Sequence, residues 1–187
     1  MVLRNRRGTG DAAVAVATGL LVLGWFIARM LFGPMTATPN AGDILQYHYF
    51  VDAYAADVVR QGALPTWNPW QLCGLPQIAA LEAGVFYPLH WFHLVLPTHS
   101  AMAATTLCHM LLMGFGTWLF LRRAGLGALA GFVGVALFTT RGWGPFSFAS
   151  PNIIAAGSWL PRGMYAVVEL VERPRARAVA GLATVAG

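Results

Sequence analysis

The sequence predicts an all-α polytopic membrane protein, and three observations lead to this fold class. Hydrophobic residues make up 57% of the chain and charged residues only 10%, whereas soluble domains are about 25% charged. Four apolar segments approach the roughly 20 residues that a helix needs to cross the hydrocarbon core of a bilayer. Arginine clusters punctuate these segments in the manner of the short cytoplasmic loops of membrane proteins.

The predicted spans follow from the lengths of the apolar segments. They run from about 12 to 32, 101 to 121, 124 to 140 and 153 to 170, and a fifth begins near 176. The fifth, VAGLATVAG, is too short to span, so we expect this sequence to be the N-terminal portion of a longer protein. A cleavable signal peptide is the alternative for the first segment, because arginines precede it. That segment is long for a signal peptide, includes Arg29 and lacks a clean A-x-A site, which favours an uncleaved span.

The arginine distribution also predicts the topology, since cytoplasmic flanks carry an excess of Lys and Arg. Clusters at 4–7, 122–123 and 173–177 fall on one side of alternating spans. The N-terminus is therefore predicted to be cytoplasmic, and a long loop from 34 to 100 extracytoplasmic. The basic residues form no continuous face, so nucleic-acid binding is not expected.

Two further residue types bear on packing rather than chemistry. The cysteines, Cys73 and Cys108, lie far apart and form neither a disulfide framework nor a CxxC motif. Glycines in the second and third spans are expected to permit close packing of helices. They are Gly114, Gly116, Gly127, Gly131 and Gly134.

The first half of the long loop predicts an amphipathic helix at the membrane surface. Asp43 and Gln46 have the spacing of a capping box, in which the acid accepts backbone N–H bonds. Apolar residues then recur at helical spacing over 47–58, and Gly62 with Pro65 ends the segment.

The second half of the loop, LPTWNPWQLCGLPQIAALEAGVFYPLHWF, predicts an ordered, kinked segment at headgroup depth, because it combines Trp with Pro. Its strings WNPWQLCGLP (67–76) and GVFYP (84–88), preceded by GDILQ (42–46) and followed by SWLP (158–161), resemble the bacterial YfhO family of multi-spanning membrane proteins. That family is similar to the GT-C class of glycosyltransferases, which use polyprenyl-phosphate sugars outside the cytoplasmic membrane. The resemblance covers residues 40–165.

The resemblance implies GT-C-like transmembrane helices whose first extracytoplasmic loop contributes to the active site. In GT-C enzymes an Asp early in that loop typically serves the acceptor or a divalent metal, and Asp43 is the matching position. Mg²⁺ or Mn²⁺ at Asp43 is the cofactor this implies. Glu82 stands where the family tends to have Gln, which makes it a second catalytic acid or a rim residue. Residues 150–152 stand where many relatives carry a His-Pro pair, so no His role transfers there.

The implied function is transfer of a sugar from a polyprenyl-phosphate donor to an envelope glycan or glycolipid, at the bacterial cytoplasmic membrane. The acceptor hydroxyl must be deprotonated, which suits a carboxylate, and the charge of the departing phosphate must be balanced, which suits an arginine. Arg60, Arg141 and Arg162 are the candidates for the phosphate. The predicted substrate-binding residues are Gln46, Tyr47, His48, Arg60, Trp67, Asn68 and Tyr87.

Each ionisable candidate also has a structural interpretation. Asp43 can simply cap a helix. Asp52 and Asp57 are expected on the solvated face of the surface helix, with His48 and Asp52 forming an i,i+4 pair.

The histidines after the helix have two interpretations as well. His90, His93 and His99 lack an HExxH-type arrangement, so packing at the membrane interface is expected rather than zinc binding. His109, inside the second span, has either a functional role or an interhelical hydrogen bond.

Two other function classes stay open at this point. A transporter or flippase of lipid-linked glycans predicts ionisable residues along a path within the spans. A non-catalytic membrane subunit predicts that Asp43 tolerates Asn or Ala, whereas Trp67 and Trp70 do not tolerate loss of their rings.

Overall fold

A computed structural model describes residues 9–32, 47–79, 84–142, 150–172, 179–181 and 183 of the chain. Within these ranges the regular structure is helical, apart from one isolated antiparallel bridge between Asn68 and Leu75. The all-α part of the predicted fold class is therefore confirmed for the described residues.

Six α-helices occur in this part of the chain. They are α1 (Thr9–Phe32), α2 (Tyr49–Arg60), α3 (Phe92–Val95), α4 (Thr98–Arg123), α5 (Ala128–Leu137) and α6 (Pro151–Glu172). A 3-10 turn at Pro88–Trp91 precedes α3, and a π turn at Phe138–Gly142 extends α5. Helices thus lie at all four predicted spans, and α2 lies at the predicted surface helix.

One helix among the described residues, α4, is long and apolar enough to cross a membrane, by length and composition. Two shorter apolar stretches, Val16–Trp25 and Ala128–Thr140, lie in α1 and along α5 with its π turn. Membrane crossing by α1, α4, α5 and α6 stays a prediction.

The chain divides into two compact units. One comprises Met1–Gly33, His109–Phe148 and Ile153–Gly187, and the other comprises Pro34–Cys108 and Ala149–Asn152. The second unit contains the loop that the sequence predicts as extracytoplasmic. The start of α4 belongs to this unit as well.

In the first unit α1 packs on α5 and the π turn, and small residues make the close approaches. A Cβ at Gly114 would lie 3.4 Å from methyl groups of Val22 and Val135, both of which are buried. A Cβ at Gly131 would lie 2.9 Å from the ring of Trp118.

Close contacts also confirm the predicted role of two more glycines. A Cβ at Gly134 would clash with Leu121, and one at Gly116 with Arg162. The same prediction is wrong for Gly127, which has open space around it because it precedes the first residue of α5. Farther along α4, the guanidinium of Arg123 joins α4 to α6 by ion pairs with Glu169 and Glu172.

The second unit is built on α2. Val51 and Ala55 form its buried core, against which Tyr47 and Val85 pack. The helix ends at Arg60, followed by Gly62 at a φ of +79°, so the predicted stop is confirmed. The capping pair Asp43 and Gln46 lies outside the described residues.

Candidate functional site

The WNPWQLCGLP string forms a compact loop that is fastened to α2. The side-chain amide of Asn68 donates a 2.8 Å hydrogen bond to Gln77, whose own amide donates to the Val51 carbonyl of α2. Tyr54 donates from the opposite side, through its hydroxyl, to the Trp67 carbonyl. Asn68 and Gln77 are both buried, so these hydrogen bonds replace water that the groups lose on folding.

The tip of this loop requires an unusual backbone. Leu72 and Cys73 have φ values of +50° and +62°, and Gly74 has +119°. A Cβ at Gly74 would lie 2.3 Å from the Trp67 ring, so only glycine lets the indole cross the turn. The Trp, Asn and Gly of the string therefore have a shared structural function.

Arg60, the last residue of α2, binds the segment that follows the GVFYP string. Its guanidinium donates to the carbonyls of His93, Leu94 and Leu96, which lie at the C-terminal end of α3. It also pairs with Asp57 at 2.9 Å. A cation at a helix C-terminus satisfies carbonyls that have no partner within the helix.

These contacts bring three ionisable side chains together beside α2. Asp52 is 4% exposed, and its Oδ1 lies 4.0 Å from His90 Nδ1 while its Oδ2 lies 3.8 Å from His93 Nε2. Both distances exceed a hydrogen bond. Asp52 Oδ1 and His93 Nδ1 are buried, and neither has a hydrogen-bond partner among the residues that the structure describes. We call Asp52, His90 and His93 the Asp–His cluster.

A pocket of about 70 Å³ opens beside the Asp–His cluster. The remaining walls are apolar and come from α2, from the GVFYP string, from the 3-10 turn and from α3. They are Ala55, Ala56, Val59, Val85, Trp91 and Leu94. The pocket therefore has room for a few water molecules or for a small polar group such as a hydroxyl.

The GVFYP motif positions one member of the cluster. Gly84 has a φ of +51°, and a Cβ there would lie 2.8 Å from His90 Nδ1. Tyr87 precedes the 3-10 turn, and its ring lies edge-on to that of His90, with centroids 5.8 Å apart. From the other side Thr105 of α4 donates to the Leu89 carbonyl, which anchors the turn.

Burial controls the charge state of the cluster. It raises the pKa of Asp52 from 3.8 to about 8, because the carboxylate form loses its hydration. Burial also lowers the pKa of His93 from 6.5 to about 4, and the positive charges of His90 and Arg60 add to this effect. At neutral pH Asp52 is therefore mostly a carboxylic acid beside a neutral His93, so their contact is not an ion pair.

The prediction that Asp52 lies on a solvated face is wrong. The buried face of α2 contains Val51, Asp52, Ala55 and Ala56, so the acid points in the same direction as the core residues. Asp57 is exposed, as predicted. His93 is buried against Asp52, a contact that was not predicted. The sequence feature that could have indicated this cluster is the HxxH spacing of His90 and His93, which places two imidazoles one helical turn apart.

The other predicted site residues occupy varied positions. The catalytic candidates Asp43 and Glu82 lie outside the described residues, as does Gln46. Tyr47 is half-buried with its ring edge-on to the buried His48, and Trp67 is half-exposed. The structure gives Asn68 and Arg60 architectural contacts, and it brings Tyr87 next to the Asp–His cluster.

A divalent cation finds no matching ligand set in the described part of the chain, which holds no group of three His, Cys, Asp or Glu arranged for a metal ion. Mg²⁺ prefers oxygen ligands, whereas the Asp–His cluster offers one carboxyl group and two imidazoles. The Asp–His cluster is therefore not a ligand set that suits Mg²⁺. The predicted ligand of Mg²⁺ or Mn²⁺, Asp43, lies outside the described residues, and a metal there stays a prediction.

Comparisons of the chain with protein-family models, with curated proteins and with solved structures found no match. Membership of the YfhO family stays a prediction from the motifs at 42–46, 67–76, 84–88 and 158–161.

Proposed function

We propose that this chain is part of a bacterial membrane glycosyltransferase of the GT-C type, which transfers a sugar from a polyprenyl-phosphate donor to an envelope glycan or glycolipid. The observation that carries the proposal is the Asp–His cluster beside a small pocket, in the segment predicted to face away from the cytoplasm. Two motifs of the family resemblance shape its surroundings. WNPWQLCGLP is fastened to α2, and Gly84 of GVFYP makes room for His90.

Asp52 is the side chain best suited to move a proton in this reaction. An effective acid–base catalyst has a pKa near the working pH, and the pKa of about 8 at Asp52 meets that condition better than an ordinary carboxylate. Perturbed groups of this kind, lining a cleft, are candidates for functional sites.

The proposed step begins with an acceptor hydroxyl in the pocket and Asp52 in its ionised form. The hydroxyl proton passes to Asp52 as the acceptor oxygen bonds to the anomeric carbon. The bond between that carbon and the donor phosphate breaks, and polyprenyl phosphate leaves with the electron pair. Asp52 then releases the proton to water, which returns the carboxylate, while His93 stays neutral because its pKa is about 4.

Asp43 and Glu82 keep the roles that the family resemblance implies for them. Asp43 lies near the start of the same loop and is proposed to orient the acceptor, and Glu82 lies two residues before Gly84 of GVFYP. Both proposals stand on sequence position alone.

The membrane setting belongs to the same proposal. We place α1, α4, α5 with its π turn, and α6 across the cytoplasmic membrane, with the N-terminus inside the cell. Trp67, Trp70 and Trp91, all more than half exposed, would lie at headgroup depth, where indole rings are favoured.

The test uses the full-length protein in its own cell envelope. Asp52→Asn keeps the shape of the side chain and removes its proton chemistry, so membrane levels should be unchanged while envelope sugar modification falls at least 100-fold. Asp57→Asn, on the same helix but exposed, is the matched control and should retain modification. Modification by Asp52→Asn at the wild-type level would refute the role of Asp52. Asp43→Asn tests the second acid in the same way.

A flippase of lipid-linked glycans is the second candidate, and two ionisable residues within predicted spans favour it. His109 is fully buried in α4, and Arg162 lies at the middle of α6. A reconstituted assay that measures sugar transfer and carrier translocation separately distinguishes the two functions. Translocation without transfer would replace the transferase proposal.

A further inference from the structure

The guanidinium of Arg162 lies against two aromatic rings, and no acid of the described part of the chain pairs with it. Its Cζ lies 5.7 Å from the ring centroid of Phe115 on α4 and 5.6 Å from that of Trp159 on α6. These are cation–π distances. The side chain is half-buried.

Arg162 differs in this respect from the other arginines whose side chains are described. Arg60 binds three carbonyls and Asp57, Arg123 pairs with two glutamates, and Arg122 donates to the Leu126 carbonyl. Among the described residues, no acid or carbonyl accepts a hydrogen bond from Arg162. Its N–H groups are therefore the ones available to an external anion.

The backbone of α4 is shaped to admit this side chain. A Cβ at Gly116 would lie 2.9 Å from Arg162 Cγ and 3.3 Å from the Arg162 backbone nitrogen. Only a residue without a side chain lets the stem of Arg162 pass between the helices to its two rings. The arginine is thus held in one place by Gly116, Phe115 and Trp159.

The position of Arg162 along α6 adds a second argument, which rests on the proposed membrane function. Arg162 lies eleven residues after the first residue of α6 and ten before the last. In a spanning helix this is close to mid-depth, where an ionised side chain is costly unless it faces a counter-charge or a water-filled cavity. A fixed guanidinium that has no acidic neighbour among the described residues predicts that the counter-charge arrives with a ligand.

We propose that Arg162 is the binding site for the phosphate group of a lipid-linked substrate. A guanidinium offers parallel N–H donors that match two oxygens of one phosphate, whereas an ammonium provides only a point charge. Of the three arginines that the sequence nominates for this role, Arg60 is engaged by protein carbonyls. The Arg141 side chain lies outside the described part of the structure.

The test is equilibrium binding of radiolabelled decaprenyl phosphate to the full-length protein in phosphatidylcholine nanodiscs. Arg162→Gln should weaken binding on the order of 10- to 100-fold, the effect of losing a charge-assisted pair. The affinity of Arg162→Lys should lie between those of the wild type and Arg162→Gln, because lysine keeps the charge and loses the paired donors. Binding by Arg162→Gln within twofold of wild type would overturn the proposal.

Two glycine variants make the test independent of the charge change. Gly116→Ala should weaken decaprenyl phosphate binding, because its methyl group displaces the stem of Arg162. Gly114→Ala is the matched control on the same helix, since its methyl group would meet only Val135, Val22 and Thr139. Its binding should equal wild type. Equal binding by both glycine variants would contradict the positioning of Arg162 by Gly116.

Two further measurements complete the test. One distinguishes a lipid-linked phosphate from free phosphate, and the other distinguishes failure of the phosphate site from failure of the transferase proposal. Inorganic phosphate at the same concentration should not displace the lipid; displacement would overturn a lipid-linked ligand. Asp52→Asn should bind decaprenyl phosphate like wild type while losing sugar transfer. Binding that depends on Arg162 in a protein without any transfer activity would refute the proposed function and leave the phosphate site standing.

Discussion

Replacement of Asp52 by Asn should make the protein more stable, and by an amount that depends on pH. The folded protein raises the pKa of Asp52 from 3.8 to about 8, so it binds this proton more tightly than the unfolded chain does. Stability therefore falls as the pH rises from about 4 towards 8, since the unfolded chain gains by releasing the proton. Asparagine has nearly the same shape and does not ionise, so Asp52→Asn escapes this loss.

The magnitude follows from the two pKa values. Each tenfold change in proton affinity corresponds to about 1.4 kcal/mol, so the free-energy difference between variant and wild type should be close to zero near pH 4. It should reach roughly 4 kcal/mol at pH 7 and level off at roughly 6 kcal/mol above pH 8. His93 acts in the opposite sense in both proteins: its lowered pKa removes stability as the pH falls from 6.5 towards 4.

The assay is denaturant unfolding of the purified full-length protein in detergent at pH 5, 7 and 9, followed by tryptophan fluorescence. The control is Asp57→Asn, which removes an exposed ion pair and should change stability by less than about 1 kcal/mol. A stability difference for Asp52→Asn that is flat from pH 5 to 9 would refute the burial argument. A variant less stable than wild type at pH 9 would refute it as well.

Three other predictions test the remaining parts of the second unit. Gln77→Ala should destabilise the protein by roughly 2–4 kcal/mol, because two buried hydrogen-bonding groups lose their partner; the exposed Gln61→Ala should cost much less in the same unfolding assay. Gly74→Ala should lower the free energy of unfolding clearly more than Gly62→Ala does, because both glycines have positive φ but only Gly74 faces an indole ring. Equal losses of stability would contradict the steric argument. Cys73, which is exposed, should react with a membrane-impermeant maleimide in spheroplasts. Mass spectrometry of the labelled protein, with Cys73→Ser as the control, measures this reaction. Labelling that occurs only after lysis would contradict the predicted topology.

Local sequence patterns were sufficient for the positions of the helices. The apolar segments gave helices within a few residues of α1, α4 and α6, because helix formation depends on a continuous run of residues with suitable propensity. The end of α2 was also predictable, since Gly62 supplies a backbone conformation that other residues adopt at a cost. These features depend on neighbours in the sequence.

The strings WNPWQLCGLP and GVFYP could be singled out in the sequence, but their physical role could not be predicted. Asn68 resembles a sugar-binding amide when it is met in a Trp-rich string. In the structure it is buried and hydrogen-bonded to Gln77, which holds the loop on α2. Arg60, considered from the sequence alone, is likewise suited to bind a phosphate. In the structure its guanidinium donates to carbonyls that lie more than thirty residues away along the chain.

What the sequence alone determined was an all-α chain with an apolar, arginine-punctuated pattern and a first loop rich in Trp and Pro. The Asp–His cluster was decided by tertiary structure, because the charge state of Asp52 depends on what covers it. The helical period places Asp52 beside Val51 and Ala55 on α2, but only the folding of residues 84–95 over that face removes water from the carboxyl group. Desolvation is a property of the assembled surroundings, so neither the raised pKa of Asp52 nor its nearness to His93 can be read from residue order.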